Sequence, residues 1–433
     1  MAAETAGGRE PPADRPAAAF TPRLLPLAFA IVALLVLLSR LPLVFLTNFW
    51  AEDGSAFYAD AYNLGWLRAL SVPLAGYLQT FPRLEAAFAA GLPLAAGPPL
   101  ASAVALVFDV LPGVLFLSDR FRHLVPSLTV RIGLATASVI LPDTFELNGN
   151  LANVQWHLAL LGFLILMAEP PRTPAGHAAD LAGLLLVGLS GPFCLLLTPI
   201  AVWLLLRQRA RWLVPRVALL VAALTVQGAI FATHYRQRLG NFDAARPSPG
   251  WLVRILDRPL LTPLMGAGHY QPLVGSPVWH SLWLPLGVLA VGGLTVAYAF
   301  WRGPSPLRLL LALGAGILAL ALVSPGSPGS RNQLWADFAT GGGPRYFYIP
   351  MLAWITTLVW LAFRGEPVVL RAGAIALLFC SLVVGVPVDW RYSAPPETAF
   401  RAAAERFDRA RPGTTVTIPI EPAPGWTMTL TKH

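Results

Sequence analysis

Two adjacent carboxylates, Glu52 and Asp53, are the residues of this chain best placed to do chemistry. They lie in the segment 48–58, directly after the first long apolar run, 24–46, and aromatic residues surround them. Paired acids repel each other, so one of them can have a raised pKa and act as a general base. The alternative is the start of an ordinary solvated loop, in which Asp53 and Gly54 form a turn.

Arginines form the second group of candidates, because several fall in one predicted external loop, 234–278. They are Arg236, Arg238, Arg246, Arg254 and Arg258, and Asp243 and Asp257 accompany them. External loops are usually poor in arginine, although long ones follow this tendency weakly. A guanidinium binds phosphate through two parallel hydrogen bonds, so Arg254 and Arg258 are predicted to hold an anionic lipid. The alternatives are unspecific loop charge and, over 251–256, an amphipathic helix packed in the membrane interface.

Arg345 begins a predicted span and follows three glycines, Gly341 to Gly343. Glycines let a backbone approach a ligand closely, and an arginine at headgroup level can bind a lipid phosphate. The alternative is an interface anchor that extends to the lipid headgroups. The neighbouring Tyr346 is interpreted as part of the interface aromatic belt, with stacking on a sugar as the less common role.

Three further polar residues are interpreted as solvated or structural rather than catalytic. Asp143 and Glu146 lie in a short predicted external loop and are expected to be solvated, with assistance to catalysis as the alternative. His157 lies at the end of a span and is expected to be a satisfied polar residue facing other helices. Neither the histidines nor the two cysteines show the spacing of a metal site.

The composition excludes a soluble domain. Hydrophobic residues make up 56% of the 433 positions and charged residues only 12%, whereas a soluble domain carries about 25% charge. The apolar runs are continuous and long enough to cross a bilayer as helices, which takes about 20 residues each. The net charge of +9 comes almost wholly from arginine at the ends of these runs, where it sets orientation. Nucleic-acid binding is therefore rejected.

The chain divides into three parts. Residues 1–23 are a predicted disordered cytoplasmic tail, and 24–388 a predicted all-α transmembrane domain of about 11 helices. This domain contains a long first external loop, 48–83, a surface helix and one span within 84–118, and a broken hairpin within 180–206 at Ser190-Gly191-Pro192. The short arginine-containing loops are predicted to be cytoplasmic. Residues 389–433 are a predicted small external α/β tail, with a helix around 400–407 and two strands, that packs on the external loops.

An acidic motif directly after the first span, in a long first external loop, resembles the GT-C superfamily of membrane glycosyltransferases. Its members take a sugar from a polyprenyl-phosphate carrier on the extracytoplasmic side. Similar short elements recur at Gly76-Tyr77, Pro82-Arg83, Asn153-Val154-Gln155-Trp156, Ser190-Gly191-Pro192-Phe193 and Pro344-Arg345-Tyr346-Phe347. The resemblance covers most of residues 24–430 in layout and implies a multi-pass protein of the bacterial inner membrane, with its N-terminus cytoplasmic and its C-terminus periplasmic.

The resemblance also implies roles for individual residues. Asp53 would be the catalytic base, with Glu52 as the alternative. The donor and its carrier would be bound by Tyr77, Arg83, Asn153, Trp156, Arg254, Arg258, Arg345 and Tyr346. No Asp-x-Asp motif is present, since Asp53 and Asp60 are seven residues apart, so no cofactor is predicted and a divalent metal stays open. The acceptor, whether glycan, lipid or protein, also stays open.

Two other functions compete with sugar transfer. A transporter or flippase for lipid-linked saccharides predicts charges in mid-span, for which Asp109 and Arg131 are the candidates. A polysaccharide polymerase of the O-antigen type also requires external arginines, but it does not require an acidic pair after the first span.

Overall fold

The computed structural model describes residues 24–239, 247–323, 331–364, 367–394 and 398–433. The predicted disordered tail, 1–23, lies outside these described residues, as do Asp243 and Arg246 and the side chains of Arg236 and Arg238.

The chain before residue 168 forms α-helices wherever the sequence is apolar, because a helix satisfies its own backbone groups. These helices are α1 (Leu25–Arg40), α2 (Val44–Thr47), α3 (Ala59–Leu64), α4 (Trp66–Ala69), α5 (Thr80–Ala89), α6 (Gly97–Leu117), α7 (Leu128–Ile140) and α8 (Val154–Met167). A π-helix, Asp53–Tyr58, leads directly into α3. The predicted first loop, 48–83, is therefore largely helical, and α5 begins inside it.

The rest of the chain continues this pattern. Its helices are α9 (Pro174–Leu189), α10 (Cys194–Gln208), α11 (Val214–Leu239), α12 (Pro249–Met265), α13 (Ala267–Val274), α14 (Pro277–His280), α15 (Trp283–Arg302), α16 (Ser305–Val323), α17 (Arg331–Thr340), α18 (Tyr348–Arg364), α19 (Val368–Cys380), α20 (Val386–Val388) and α21 (Phe400–Asp408). The predicted loop 234–278 is thus mainly helix, and the short interface helix predicted over 251–256 is a longer helix, α12.

Five helical stretches in the described chain are long and apolar enough to cross a membrane. They are Leu94–Leu117, Arg211–His234, Trp283–Arg302, Ser305–Val323 and Val368–Val388. Six shorter apolar helices accompany them: Leu25–Arg40, Leu128–Ile140, Val154–Met167, Pro174–Leu189, Cys194–Gln208 and Tyr348–Phe363. The structure is therefore mostly helical, with five candidate membrane spans.

Two sequence predictions about helix breaks are confirmed. The run 84–118 contains a short helix, α5, followed by one long helix, α6, and not two equal ones. The run 180–206 breaks at Ser190-Gly191-Pro192, between α9 and α10. This break is buried, and its backbone is hydrogen bonded: the Ser190 hydroxyl accepts from the Phe81 amide, and the Gln227 amide donates to the Gly191 carbonyl. A helix break in an apolar bundle requires such partners.

The connections gather at the two ends of the bundle. At one end, called the loop end, lie the segments 41–79, 141–153, 341–347, 389–394 and 398–433, which are joined to one another by hydrogen bonds and ion pairs. At the other end lie short turns with many arginines, tied together where Arg120 and Arg216 both bind the Asp180 carboxylate.

The two predicted strands of the tail are confirmed as an antiparallel hairpin, β1 (Thr415–Pro419) and β2 (Thr427–Thr431). The hairpin packs against the first loop. The Glu421 amide donates to the Phe49 carbonyl, and the Glu421 carbonyl accepts from the Ala51 amide. Asn63, 366 residues away in sequence, donates to the Thr429 carbonyl. These bonds place the tail directly against the segment that carries Glu52 and Asp53.

Candidate functional site

Asp53 is buried, with 4% of its surface exposed, at the start of the π-helix. Its Oδ2 accepts a hydrogen bond of 3.0 Å from the Leu151 amide, while its Oδ1 has no hydrogen-bond partner among the described residues. Burial raises the pKa of Asp53 well above its usual value, the Leu151 amide opposes this, and the nearby carboxyls of Glu85 and Glu52 add to it. Asp53 is therefore held through one oxygen, while its second oxygen is buried without a hydrogen-bond partner among the described residues.

Gly54, next to Asp53, packs so closely against Phe49 and Ile420 that no side chain fits at residue 54. A Cβ atom at Gly54 would lie 2.8 Å from Cβ of Phe49 and 3.0 Å from Cδ1 of Ile420 in the tail. Residue 54 must therefore be glycine if Ile420 is to pack against the π-helix. The turn suggested by Asp53-Gly54 is in fact the beginning of this helix, and Asp53 is not in a solvated loop start.

Glu85 on α5 is the acid that the sequence reasoning missed. Its Oε1 is buried without a hydrogen-bond partner in the described part of the chain, and burial raises its pKa to about 7. The next residue, Ala86, packs in one cluster with Phe57 of the π-helix and with Ala152. Glu85 thus faces the same region as Asp53. No motif links the two acids in sequence, so only the fold brings them together.

Arg83, on the same helix, is fully buried and contacts two residues of the acidic segment. Its Nη1 binds Oδ2 of Asp60 at 3.0 Å, and its guanidinium lies 5.3 Å from the centre of the Phe57 ring. Its Nε and Nη2 have no hydrogen-bond partner among the described residues. Arg83, which the sequence predicts to bind the carrier, therefore lies next to the acidic segment, and its Nε and Nη2 could still donate hydrogen bonds.

Arg345 lies close to Glu52. Its Nη1 pairs with Oε1 of Glu146, and its guanidinium lies 5.1 Å from the centre of the Tyr346 ring. Burial raises the pKa of Glu52, which the charge of Arg345 opposes and that of Glu146 reinforces. Glu52 thus lies near the arginine motif at the loop end.

Aromatic contacts join two of the predicted elements. The Trp156 and Tyr346 rings meet edge to face, with centres 5.2 Å apart, and Trp156 meets Phe193 of the helix break in the same way at 4.9 Å. Asn153 donates from its side chain to the Glu146 carbonyl at 2.8 Å, so its observed bond is structural. Trp156 is buried among these rings, and the Nε1 of its indole has no hydrogen-bond partner in the described chain.

Arg258 is fully buried and its guanidinium is occupied by the protein. Its Nη2 and Nε bind Oδ2 of Asp143 at 2.7 and 3.1 Å. The same guanidinium donates to the carbonyls of Phe338, Gly341 and Gly342. In this arrangement Arg258 fixes the glycine segment that precedes Arg345, which is a structural task.

Two other predicted binding residues have observed contacts within their own helix or turn. The Arg254 guanidinium stacks 4.9 Å from the centre of the Trp251 ring on α12. The backbone of Tyr77 pairs with that of Leu74 in a tight turn.

Asp257 on α12 is buried with no hydrogen-bond partner among the described residues on either carboxylate oxygen, and burial raises its pKa to about 8.

The segment between α7 and α8, residues 141–153, connects these groups. The expectation that Asp143 and Glu146 are solvated is wrong: Asp143 is buried against Arg258, and Glu146 pairs with Arg345. The same segment supplies the Leu151 amide to Asp53. Sequence periodicity does not reveal these roles, because the segment is irregular and each partner lies far away along the chain.

The arrangement supports acid–base chemistry beside an arginine. Asp53 and Glu85 each provide a buried carboxyl oxygen with no hydrogen-bond partner in the described part of the chain, and Arg345 and Arg83 provide positive charge within the same end of the bundle. Among the described residues, no three Asp, Glu, His or Cys side chains form a cluster that could hold a metal ion.

No protein-family model matches the chain, and no curated protein matches it significantly.

The stability of the protein is expected to fall as the pH rises from about 5 to about 8. Because burial raises the pKa of Glu85 from 4.5 to about 7, the folded chain keeps a proton in this range that the unfolded chain has released. The contribution of Glu85 to stability is therefore fully present below about pH 4.5 and is lost as the pH rises through about 7. Asp257 contributes with the same sign, since its pKa is also raised.

Glu85→Gln should remove its share of this decline, at most about 3 kcal/mol, as measured by unfolding in detergent at several pH values. The same substitution at Glu405, whose side chain is half exposed, is the matched control and should keep the full decline. An identical decline in wild type and Glu85→Gln would contradict the raised pKa.

Proposed function

We propose that the chain is a membrane glycosyltransferase that transfers a sugar from a polyprenyl-phosphate carrier to an extracytoplasmic acceptor. The observation that carries this proposal is the state of Asp53: one oxygen is fixed by the Leu151 amide, the other is buried with no hydrogen-bond partner among the described residues, and Arg345 lies near the adjacent Glu52. A general base next to a phosphate-binding group is the combination that sugar transfer from a lipid phosphate requires.

The arrangement of the helices supports a multi-pass protein. The five long and six shorter apolar helices of the described chain would give eleven crossings, in line with the sequence estimate of about 11. The short turns at one end are rich in arginine, which favours the cytoplasmic side. On this orientation the loop end, with Asp53 and the tail, faces the periplasm of a bacterial inner membrane.

In the proposed reaction, Asp53 takes the proton from the acceptor hydroxyl. The hydroxyl oxygen then forms a bond to the anomeric carbon of the sugar, while the bond from that carbon to the phosphate oxygen breaks. The electron pair of the broken bond leaves with the phosphate. A raised pKa suits this role, since a base works best when its pKa lies near the working pH.

The leaving phosphate gains negative charge as its bond to the sugar breaks. Arg345 and Arg83 would stabilise this charge, since both lie next to the acidic segment. Glu146 keeps Arg345 oriented, and Arg258 keeps the preceding glycines in place. Arg258 is thus proposed to act indirectly, and direct binding of the lipid phosphate by this residue is the weaker interpretation.

Transport of a lipid-linked saccharide is the second candidate. It draws support from Asp109, which lies in the middle of α6 beside His157. However, Asp109 accepts a hydrogen bond from the Gly149 amide, and Arg131 donates to the carbonyls of Leu117 and Ser118 at the end of α6. Because these hydrogen bonds tie both residues to the backbone of the protein, they favour a structural role over a transport pathway.

Mass spectrometry of lipids that co-purify with the protein tests the proposed donor whatever its sugar. We expect a polyprenyl-phosphate lipid to co-purify with wild type and to be depleted in variants of Arg345. Recovery of bulk phospholipids alone would contradict the proposal. Transport of the same lipid across vesicles, without release of sugar, would favour the second candidate.

Arg345→Lys is expected to weaken binding of a synthetic polyprenyl phosphate by at least about tenfold. A guanidinium holds a phosphate through two parallel hydrogen bonds, whereas an ammonium is a point charge. Binding would be measured in one detergent for both proteins. Arg68→Lys, at an exposed position of the first loop, is the control and should bind as wild type does. Unchanged affinity in Arg345→Lys would return this residue to the role of an interface anchor.

A further inference from the structure

Asp109 is a carboxylate in the middle of an apolar helix, α6, where it is almost fully buried. Its Oδ2 accepts a hydrogen bond of 2.8 Å from the Gly149 amide, and its Oδ1 lies 3.4 Å from Nε2 of His157 on α8. A charged or polar group in such a helix is costly and therefore usually has a function. The acidic and arginine motifs described above do not include it.

Gly149 occupies a central position in the segment 141–153. Three residues before it, Glu146 pairs with Arg345, and two residues after it, the Leu151 amide donates to Asp53. The backbone of Gly149 has a positive φ of 74°, and a Cβ there would lie 2.9 Å from Cδ1 of Leu41. The bond to Asp109 therefore holds a glycine turn that lies between the two halves of the candidate site.

We infer that Asp109 is a positioning residue of this site, which fixes the segment 146–151 through the Gly149 amide and thereby orients Asp53 and Arg345. Other bonds hold the flanks of the segment: the Asn148 side chain donates to the Tyr392 hydroxyl, and Asn150 accepts from the Asn153 amide. The Gly149 amide itself is held from within the bundle by Asp109. The effect on sugar transfer rests on the proposed function, whereas the effect on the segment does not.

The inference can be tested on the full chain by hydrogen exchange and mass spectrometry. Overlapping peptides would resolve the exchange of the Gly149 and Leu151 amides. We expect Asp109→Leu to speed exchange of these two amides by about tenfold or more, because a buried donor loses its acceptor. Asp109→Asn should exchange as wild type does, since the amide oxygen still accepts from Gly149 and the amide nitrogen can donate to His157. If Asp109→Leu does not fold, Asp109→Ser takes its place, because serine is too short to reach Gly149.

Two controls separate this role from general destabilisation. Ser102 is also buried on α6, and its hydroxyl donates to the Phe45 carbonyl on α2, so Ser102→Ala should leave exchange in 146–153 unchanged. His157→Phe should also preserve it, because the Gly149 bond does not involve the imidazole. Unaltered exchange in Asp109→Leu, or equally fast exchange in Asp109→Asn, would overturn the inference.

An activity measurement then distinguishes the inference from the proposed function. If sugar transfer occurs, its rate should fall in Asp109→Leu and return in Asp109→Asn, with donor affinity and turnover both affected. Faster exchange in Asp109→Leu without any transfer by wild type would contradict the glycosyltransferase and leave the positioning role intact. Loss of transfer in Asp109→Leu with wild-type exchange would contradict the positioning role alone.

Discussion

Asp53→Asn is expected to lower the rate of sugar transfer by about 10²–10⁴-fold, the usual effect of removing a general base. The asparagine oxygen can still accept the Leu151 amide, so the π-helix and its packing should persist. What is lost is the ability of the second oxygen to take a proton from an acceptor hydroxyl. The rate would be measured as release of polyprenyl phosphate from donor in detergent, at equal amounts of folded protein.

Glu52→Gln is the matched control for Asp53, since it removes the neighbouring acid. Glu52 is less buried than Asp53 and lies near the Arg345–Glu146 pair, so its loss should reduce transfer less. Wild-type turnover in a correctly folded Asp53→Asn protein would remove Asp53 from the chemistry. A larger loss in Glu52→Gln than in Asp53→Asn would transfer the role of base to Glu52.

The second large effect concerns stability. Arg258→Met is expected to lower the free energy of unfolding by about 3–5 kcal/mol, as happens when one partner of a buried ion pair is removed. Asp143 would remain as an uncompensated buried carboxylate, and the carbonyls of Phe338, Gly341 and Gly342 would lose their donor. Denaturant unfolding in detergent would measure this loss.

Arg401→Met provides the comparison, because that arginine is 92% exposed and its pairing with Glu405 is a surface contact of 3.7 Å. Surface pairs contribute about 0–1 kcal/mol, so little change is expected there. Equal stability of the two variants would show that Arg258 is not needed to hold the glycine segment. Its predicted role as a direct ligand of the lipid phosphate would then regain weight.

The sequence is sufficient for the parts of the fold that depend on local physics. Long apolar runs predict helices such as α6 and α16 because a buried backbone must satisfy its own hydrogen bonds. The break at Ser190-Gly191-Pro192 follows from the missing proline donor and the flexibility of glycine. The hairpin of the tail follows from strict alternation around Met428 and Leu430, both of which are buried.

Irregular and mixed segments are harder to predict. The first loop contains polar residues and glycines that suggest coil, yet tertiary contacts with the tail stabilise a π-helix and two short helices there. The arginine-rich stretch 234–278 suggests a loop because its charges conceal the helical periodicity of α12. In both cases packing against distant residues overrides the local pattern.

For the candidate site, the sequence identifies single residues but not their partners. Asp53 stands out because of its place after the first span, whereas Glu85 is an ordinary acid in an amphipathic helix. The sequence predicts a solvated Glu146 because nothing near it along the chain indicates the pairing with Arg345, 199 residues away. Partnerships of this kind depend on tertiary structure, so only the folded chain reveals them.

The contact between the tail and the first loop gives this protein a particular order of assembly. During synthesis the acidic pair is made before all of the five long and six shorter apolar helices of the described chain except α1, whereas Glu421 and Thr429, which hold that region, are made after all of these helices. A nascent chain that has not yet reached Thr415 therefore contains all the helices and both acids, but it lacks the backbone pairing with Phe49 and Ala51. The earliest-made part of the candidate site is thus the last to receive its support, and ribosomes must deliver nearly the whole described chain before the site is complete.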